Sequence, residues 1–240
     1  MSIDFPYPLA EEISRNVAAA LAEDIGAGDL TASLIPANRR VEASVITREA
    51  GVLCGTAWFD HCVSELDPSA QVEWQAQDGD RISENQLLCR ITADARALLT
   101  AERSALNFLQ LLSAVASKAR IYADAITGTK AQVVDTRKTL PGNHRLALWD
   151  AILIKENHIM AAGGIVEALQ AAQSVAQAAS ERCKFIQIEV ENLAELETAL
   201  GAGAKMVLLD NFSLEMLREA AHINAGRAIL EASGNVTLET

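Results

Sequence analysis

Residues 185–210 read FIQIEVENLAELETALGAGAKMVLLD. The apolar run from Phe185 to Val190 predicts a buried strand, and the spacing of Ala and Leu from Leu193 to Ala202 predicts a helix. The run from Met206 to Leu209 predicts a second strand. A strand, a helix and a strand in that order indicate two parallel strands joined by a crossover helix. The stretch therefore predicts an α/β fold.

The same alternation continues on both sides of this unit. Before it, the pattern predicts strands at Gln132–Asp135 and Ala151–Lys155 and a helix at Ile165–Ala179. After it, the pattern predicts a helix at Leu214–Ile223 and a strand at Ala228–Leu230. Repeated units of this kind indicate a parallel sheet, open or closed into a barrel, with its chemistry at the carboxyl ends of the strands.

The first part of the chain has a different pattern of apolar residues. Helical periodicity predicts a helix at Leu9–Ile25 and another at Leu98–Ile126. Between them lie short β-like runs, at Val41–Thr47, Val52–Gly55, Val72–Ala76 and Leu87–Ile91. This part is therefore predicted to be a small α+β domain. Arg103 is expected near the start of the second helix, where a cation opposes the helix dipole.

Composition excludes several classes of protein. The 240 residues carry 20 Lys and Arg against 32 Asp and Glu, a net charge of −12. Nucleic acid and anionic membranes are unfavourable partners for so acidic a chain. The start of the sequence lacks the pattern of a signal peptide, and no apolar run is long enough for a membrane span. The four cysteines form no close pair, so we expect reduced thiols in a soluble cytoplasmic protein.

Cations cluster where the predicted strands end, against the overall charge. The cluster comprises Arg137, Lys138, Arg145 and Lys155, and His144 could join it. Arginine binds planar anions bidentately, and hydrogen bonds between charged groups are among the stronger ones in proteins. The strand ends therefore predict a pocket for a ligand with several carboxylates or phosphates.

Two acids and a glycine turn follow the same pattern. Glu189 lies in one predicted strand and Asp210 after the next, where they suit Mg²⁺ or ribose hydroxyls, although pairing with the lysines would also explain them. Ser233 and Gly234 follow the last strand and precede what reads as a helix start. Such a turn could present backbone N–H groups to a phosphate.

At these positions the sequence resembles the quinolinate phosphoribosyltransferase family, the decarboxylating enzymes of NAD biosynthesis. The resemblance is carried by the segments Glu23–Thr31, Ala101–Asn107, Asp135–Gly142, Asn143–Leu146, Leu153–Ile159, Glu189–Leu193, Leu208–Phe212 and Glu231–Gly234. It implies an amino-terminal α/β sandwich domain over residues 1–100 and an incomplete α/β barrel with the active site over residues 101–240. It further implies a homodimer or a hexamer of dimers, in which Arg103 reaches into the partner subunit's active site.

The resemblance also implies a reaction and roles for the site residues. Quinolinate and phosphoribosyl pyrophosphate, with Mg²⁺ and no organic cofactor, would give nicotinate mononucleotide, pyrophosphate and CO₂. Substrate binding is expected from Arg103, Arg137, Lys138, His144, Arg145, Lys155, Glu189, Asp210, Ser233 and Gly234. Catalysis is expected from Lys138, Lys155, Glu189 and Asp210, with Glu189 and Asp210 contacting Mg²⁺ directly or through water.

The chain departs from the family pattern in two places. Between Gly142 and Asn143 the family has a helix and a glycine-rich loop, and after Thr240 it continues into another strand and a second phosphate-contacting loop. We interpret both as missing segments of a longer chain, the first being a mobile loop beside the active site.

Four other interpretations are open. The chain could be a naturally shortened, inactive homologue, a degenerate scaffold kept for assembly, or a paralogue of the same fold with another ligand. Lys155 at the end of a strand would also suit a Schiff-base aldolase, but that chemistry would leave the arginines unused.

Overall fold

The structure is a computed structural model and describes residues 9–36, 38–133 and 151–238. The chain forms two compact units, Met1–Val134 and Asp135–Thr240. The predicted domain boundary between residues 100 and 101 lies inside a helix at Ala95–Ala125, and that whole helix falls within the first unit.

The first unit contains an antiparallel sheet packed with helices. Its elements are α1 (Leu9–Ile25), β1 (Arg40–Ile46), β2 (Gly51–Val52), α2 (Thr56–Leu66), β3 (Gln71–Trp74), β4 (Arg81–Ile82), β5 (Leu87–Asp94) and α3 (Ala95–Ala125), with a 3₁₀ turn at Ala32–Leu34. The order β1-β5-β3 makes one sheet, and β2 pairs with β4 in a second. The α+β prediction is confirmed, with α1 at the predicted bounds, whereas α2 was not predicted.

Helix α3 begins earlier than the sequence pattern indicated. The Asp94 side chain accepts hydrogen bonds from the backbone N–H groups of Arg96 and Ala97 and so caps the helix. Arg103 therefore lies more than two turns inside α3, and its expected position near the helix start is wrong. The helix dipole acts mainly within the first turn, so it gives Arg103 no unusual energy.

Two cysteine thiols are buried in the core of the first unit. Cys62 and Cys89 have no exposed surface, and burial raises the pKa of each thiol to about 12. The thiolate is the reactive form, so we expect neither thiol to react with iodoacetamide at about pH 8 while the protein is folded. Mass spectrometry of the alkylated peptides, with guanidinium-unfolded protein as the control, measures this. Rapid native labelling of either residue would contradict it.

The second unit is a parallel sheet with helices between its strands. Its elements are β6 (Ile152–Ile154), α4 (Glu156–Ala162), α5 (Ile165–Ala178), β7 (Ile186–Val190), α6 (Leu193–Gly201), β8 (Met206–Asp210), α7 (Leu214–Asn224) and β9 (Ile229–Ser233). The strands are parallel in the order β6-β7-β8-β9. The predicted α/β class is confirmed, although α4 was not predicted. Gln132 and Val133 form no strand, and the rest of that predicted strand lies outside the described residues.

The two faces of this sheet differ in polarity. Ile188, Val190, Val207 and Leu209 are buried on one face, where they join apolar residues of the helices in one core. Consecutive strand residues point to opposite faces, and residues paired in parallel register share a face. The other face therefore carries the alternate set, which is Leu153, Gln187, Glu189, Met206, Leu208, Asp210, Ile229, Glu231 and Ser233. The polar residues of the strands are thus concentrated on the face away from the helices.

Over residues 9–36, 38–133 and 151–238, no single helix is long and apolar enough to cross a membrane. Among the helices of these ranges, only α4 and α5 taken together meet that requirement, and they are bent by 95° relative to each other.

Candidate active site

The carboxyl edge of the parallel sheet brings together five of the predicted site residues. Lys155 directly follows β6, Glu189 is the second-last residue of β7, and Asp210 is the last residue of β8. Ser233 is the last residue of β9 and pairs with Asp210 in register, with Gly234 following it. Asp210 and Ser233 were expected just after their strands, but pairing with each other retains both in the sheet. The predicted convergence at this edge is seen for these residues.

Lys155 is held through its backbone by the unpredicted helix α4. Its N–H donates to Nδ1 of His158 at 3.0 Å, and its carbonyl accepts from the His158 backbone N–H at 2.8 Å. Because Nδ1 accepts, this nitrogen carries no proton in the arrangement. The Lys155 side chain is exposed, and no acid of the described residues lies within ion-pair distance of it. Lys155 is therefore placed to meet an anion from solution.

Negative charge is concentrated beside this lysine. The pKa of Glu191 is raised above its ordinary value, first by the charge of Glu156, then by partial desolvation, and then by Glu195, Asp210 and Glu189. Because the charges of four neighbouring acids raise the pKa of this carboxyl, the local electrostatic potential is negative. A phosphorylated substrate would be repelled from this edge unless cations accompany it.

The acids do not form a closed metal cage. No group of three or more His, Cys, Asp or Glu side chains within the described residues could hold a metal ion. Glu189 is in register with Leu208, which lies two residues before Asp210. The two acids are therefore diagonal neighbours on adjacent strands, with their Cα atoms about 8 Å apart by strand geometry. Mg²⁺ commonly binds one or two carboxylates and completes its shell with water and substrate phosphates. The donor set fits an ion that arrives with a phosphorylated ligand.

The ends of β8 and β9 are joined by a polar network that sequence reasoning missed. The Asn211 amide donates to Oδ2 of Asp210 at 2.8 Å and accepts from Nδ2 of Asn235 at 3.1 Å. The Asn211 backbone N–H donates to the Ser233 carbonyl at 2.8 Å. The contacts of Asn211 with Asn235 and Ser233 depend on the pairing of two strands, so no local pattern in the sequence could have shown them.

The turn after β9 differs from the expectation. The chain was predicted to enter a helix after Ser233 and Gly234, but residues 234–238 form no helix. Gly234 and Asn235 both have positive φ, at 77° and 53°, which directs the chain away from a right-handed helix. A helix N-terminus for phosphate is therefore not seen here. Besides the Asn235 amide, which donates to Asn211, the turn offers backbone groups and the Ser233 hydroxyl.

A second unpredicted contact lies deeper on the same face. Nε2 of Gln187 in β7 donates to Oε2 of Glu231 in β9 at 2.7 Å, which spans the intervening β8. Gln187 is buried and Glu231 is half-buried. Both residues are on the face that also carries Glu189 and Asp210, so they form a polar floor beneath the acids.

The predicted site residue of the first unit has its own local partners. Nε of Arg103 lies 3.0 Å from Oδ1 of Asp24, while 74% of the arginine side chain remains exposed. One turn earlier in α3, the Thr100 hydroxyl donates to Asp29 at 2.9 Å. The pKa of Asp29 is lowered, mainly by the hydrogen bond from the Ala32 backbone and then by the one from Thr100. The two amino-terminal segments of the family pattern thus contact each other.

The remaining predicted site residues are Arg137, Lys138, His144 and Arg145, and they lie outside the described residues. Their roles therefore stay predictions.

Comparison with known proteins identifies the family. The model of the quinolinate phosphoribosyl transferase N-terminal domain matches residues 29–113, and that of the C-terminal domain matches residues 142–240. The chloroplastic nicotinate-nucleotide pyrophosphorylase [carboxylating] of Arabidopsis thaliana is 35% identical over 100% of this chain and 77% of its own length. The Mycobacterium leprae nicotinate-nucleotide pyrophosphorylase [carboxylating] is 36% identical over 100% of this chain and 89% of its own.

Solved structures agree with the sequence comparisons. The nicotinate-nucleotide pyrophosphorylase of Francisella tularensis superposes with a TM-score of 0.89 at 37% identity, covering 98% of this chain and 88% of that one. A NadC structure from Streptococcus pyogenes gives 0.88 at 35% identity, covering 100% of this chain and 88% of that one. Both domain models and relatives of this similarity cover the same two units, and the chain therefore belongs to the quinolinate phosphoribosyl transferase family.

Proposed function

We propose that this protein transfers the phosphoribosyl group of phosphoribosyl pyrophosphate to quinolinate, with loss of CO₂ and pyrophosphate, in the de novo biosynthesis of NAD. The product is nicotinate mononucleotide. Membership of the family supports this reaction. The observation that carries it is the meeting of Lys155, Glu189, Asp210 and Ser233 at one edge of the parallel sheet.

Quinolinate is held by its two carboxylates in this proposal. Arg103, Arg137 and Arg145 bind them, with Lys138 and His144 completing the pocket. Arginine suits planar carboxylates because its N–H groups form a fixed fork. Fixing both carboxylates orients the ring nitrogen toward C1 of the ribose, which turns a chance encounter into a positioned displacement.

The acids act on the ribose as its bond to pyrophosphate breaks. C1 then gains positive charge, and the carboxylates of Glu189 and Asp210 at the sheet edge stabilise that charge. Lys155 and Lys138 face the phosphates, and Ser233 and Gly234 bind a phosphate oxygen. Once the ring nitrogen is bonded to C1 it is a pyridinium, which stabilises the electron pair left on the ring carbon when the neighbouring carboxylate leaves as CO₂. That carbon then takes a proton from water, which completes nicotinate mononucleotide.

Mg²⁺ is the proposed metal, held by Glu189 and Asp210 directly or through water. When bound with substrate, it offsets the charge of the pyrophosphate group. The negative potential at Glu191 supports this proposal, because a cation is needed to bring a phosphorylated substrate to this edge. No organic cofactor is proposed, since the pyridinium itself serves as the electron acceptor.

Assembly as a homodimer, or as a hexamer of dimers, is part of the proposal, with Arg103 acting in the partner's site. Its side chain is mostly exposed within its own chain. Variants Arg103→Ala and Arg145→Ala are each expected to be inactive. Mixing them with subunit exchange creates one intact site in each mixed dimer, so about a quarter of wild-type activity should return. No recovery after exchange confirmed by mass spectrometry would exclude sharing.

We further propose that the protein acts in the cytoplasm, on small molecules and without nucleic acid or membrane partners. The net charge of −12 is unfavourable for binding to nucleic acid or anionic lipid. The four free cysteines suit a reducing compartment.

The direct test supplies purified protein with quinolinate, phosphoribosyl pyrophosphate and Mg²⁺ and detects the product by mass spectrometry. Nicotinate replaces quinolinate in the matched reaction. Nicotinate mononucleotide formed from quinolinate alone is the expected result. Product from nicotinate alone would indicate a paralogue with another substrate, and folded protein that makes no product from either would indicate an inactive homologue.

A further inference from the structure

We infer that Asn211 is a positioning residue, whose amide fixes the carboxylate of Asp210 to the turn formed by Ser233, Gly234 and Asn235. The inference rests on the proposed function, because it concerns how the ribose and phosphate parts of phosphoribosyl pyrophosphate are presented with one fixed spacing. Asn211 itself is not expected to contact the reacting atoms.

The backbone of Asn211 extends the pairing of β8 with β9 beyond Asp210. Its N–H donates to the Ser233 carbonyl at 2.8 Å, immediately after the paired residues Asp210 and Ser233. Its φ is +55°, a left-handed conformation that asparagine tolerates better than most residues. This conformation turns the chain sharply at the end of β8, and the side chain of Asn211 lies next to that of its neighbour Asp210.

The side chain of Asn211 can adopt only one orientation. A carboxylate accepts hydrogen bonds and cannot donate them, so Nδ2 of Asn211 must face Oδ2 of Asp210, at 2.8 Å. The amide oxygen then faces away and accepts from Nδ2 of Asn235 at 3.1 Å. The amide therefore acts as a directional bridge between the end of β8 and the turn after β9.

Gly234 lets this bridge form. A Cβ atom at position 234 would lie 2.2 Å from Oδ1 and 2.7 Å from Cγ of Asn211. The amide thus occupies the space that any side chain at position 234 would need. The close approach links the glycine of the predicted phosphate turn directly to the neighbour of the predicted ribose or metal ligand.

The consequence concerns which oxygen of Asp210 meets the substrate. Oδ2 is engaged by Asn211, so Oδ1 is the oxygen that a ribose hydroxyl or a cation would use. Without the amide, the carboxylate could rotate about its terminal torsion, which is a soft one. Substrate binding would then have to order the carboxylate, and that ordering weakens affinity.

The test measures binding and turnover in matched variants. Asn211→Gly removes the amide and suits the left-handed backbone. Asn211→Asp keeps the size and the tolerance of positive φ, but sets a second carboxylate against Asp210. Asn85→Gly is the control, because Asn85 in the first unit also has positive φ, at 61°, and also donates to the preceding acid, Glu84. Calorimetry with phosphoribosyl pyrophosphate and Mg²⁺ gives Kd, and steady-state kinetics give KM for each substrate.

We expect Asn211→Gly to weaken Kd for phosphoribosyl pyrophosphate about 10-fold or more, as for a lost hydrogen bond to a charged group, with KM for quinolinate within about twofold of wild type. Asn211→Asp should weaken Kd further, and Asn85→Gly should leave it unchanged. Wild-type affinity in Asn211→Gly, or in Asn211→Asp, would overturn the positioning role. Wild-type protein that does not bind phosphoribosyl pyrophosphate would instead overturn the proposed function, and the inference with it.

Discussion

Asp210→Asn is expected to lower kcat/KM for phosphoribosyl pyrophosphate by about 10²–10³-fold without unfolding the protein. Asparagine has nearly the same shape and can still accept from Asn211, so the junction of β8 and β9 persists. What is lost is the negative charge beside the ribose, and that charge stabilises the positive centre formed as pyrophosphate leaves. Steady-state kinetics over a range of Mg²⁺ concentrations measure the loss.

The control for this substitution is Glu219→Gln in α7. Glu219 is exposed and its replacement removes the same unit of charge, but it lies well inside the helix rather than at the sheet edge. We expect Glu219→Gln to retain wild-type kinetics. If Asp210→Asn also retained them, Asp210 would have no part in the transfer step.

Gly234→Ala is expected to reduce kcat/KM by at least about 10²-fold, as misplaced catalytic groups do. The new Cβ would lie 2.2 Å from Oδ1 and 3.0 Å from the backbone nitrogen of Asn211. The amide could swing away, but the backbone could not, so the ends of β8 and β9 must separate. That separation would displace Asp210 and Ser233, which are paired at this point. Kinetics and urea unfolding of the same preparation measure both effects.

Gly226→Ala separates backbone strain from this collision. Gly226 has φ of +79°, close to the +77° of Gly234, but a Cβ there would meet nothing within 4 Å. Both variants carry the left-handed cost of about 1–2 kcal/mol in stability. Only Gly234→Ala should lose activity. Equal kinetics in the two variants would show that the contact between Gly234 and Asn211 does not matter.

The repeating units of the second part of the chain were predictable because each element is long enough to display its own period. Helix α6 was predicted at Leu193–Ala202 and lies at Leu193–Gly201, and β7 and β8 agree equally well. The helices that were missed, α2 and α4, have 11 and 7 residues. Helix α2 begins after Gly55, whose lack of a side chain provides no capping signal, and α4 is too short to show a period.

The candidate site also has some features that the sequence could predict and others that it could not. Lys155, Glu189, Asp210 and Ser233 could be placed together because strand ends in a parallel sheet share one edge. The roles of Asn211 and of the contact between Gln187 and Glu231 could not, since each requires the pairing of separate strands. The prediction of a helix after Gly234 was wrong for a similar reason. Gly234 and Asn235 have a left-handed backbone next to Asn211, and the local sequence does not specify that conformation.

The alternation of faces along β7, β8 and β9 has a consequence for how this protein can change. The fold is maintained by the buried residues Ile188, Val190, Val207 and Leu209. The residues between them point to the opposite face, which carries Glu189 and Asp210 and is the proposed substrate side. Variation at every second position can therefore alter what is bound while the packed layer stays intact. Residues on one face of the sheet determine stability, and residues on the other face determine ligand specificity. The second face is therefore a suitable target for directed evolution.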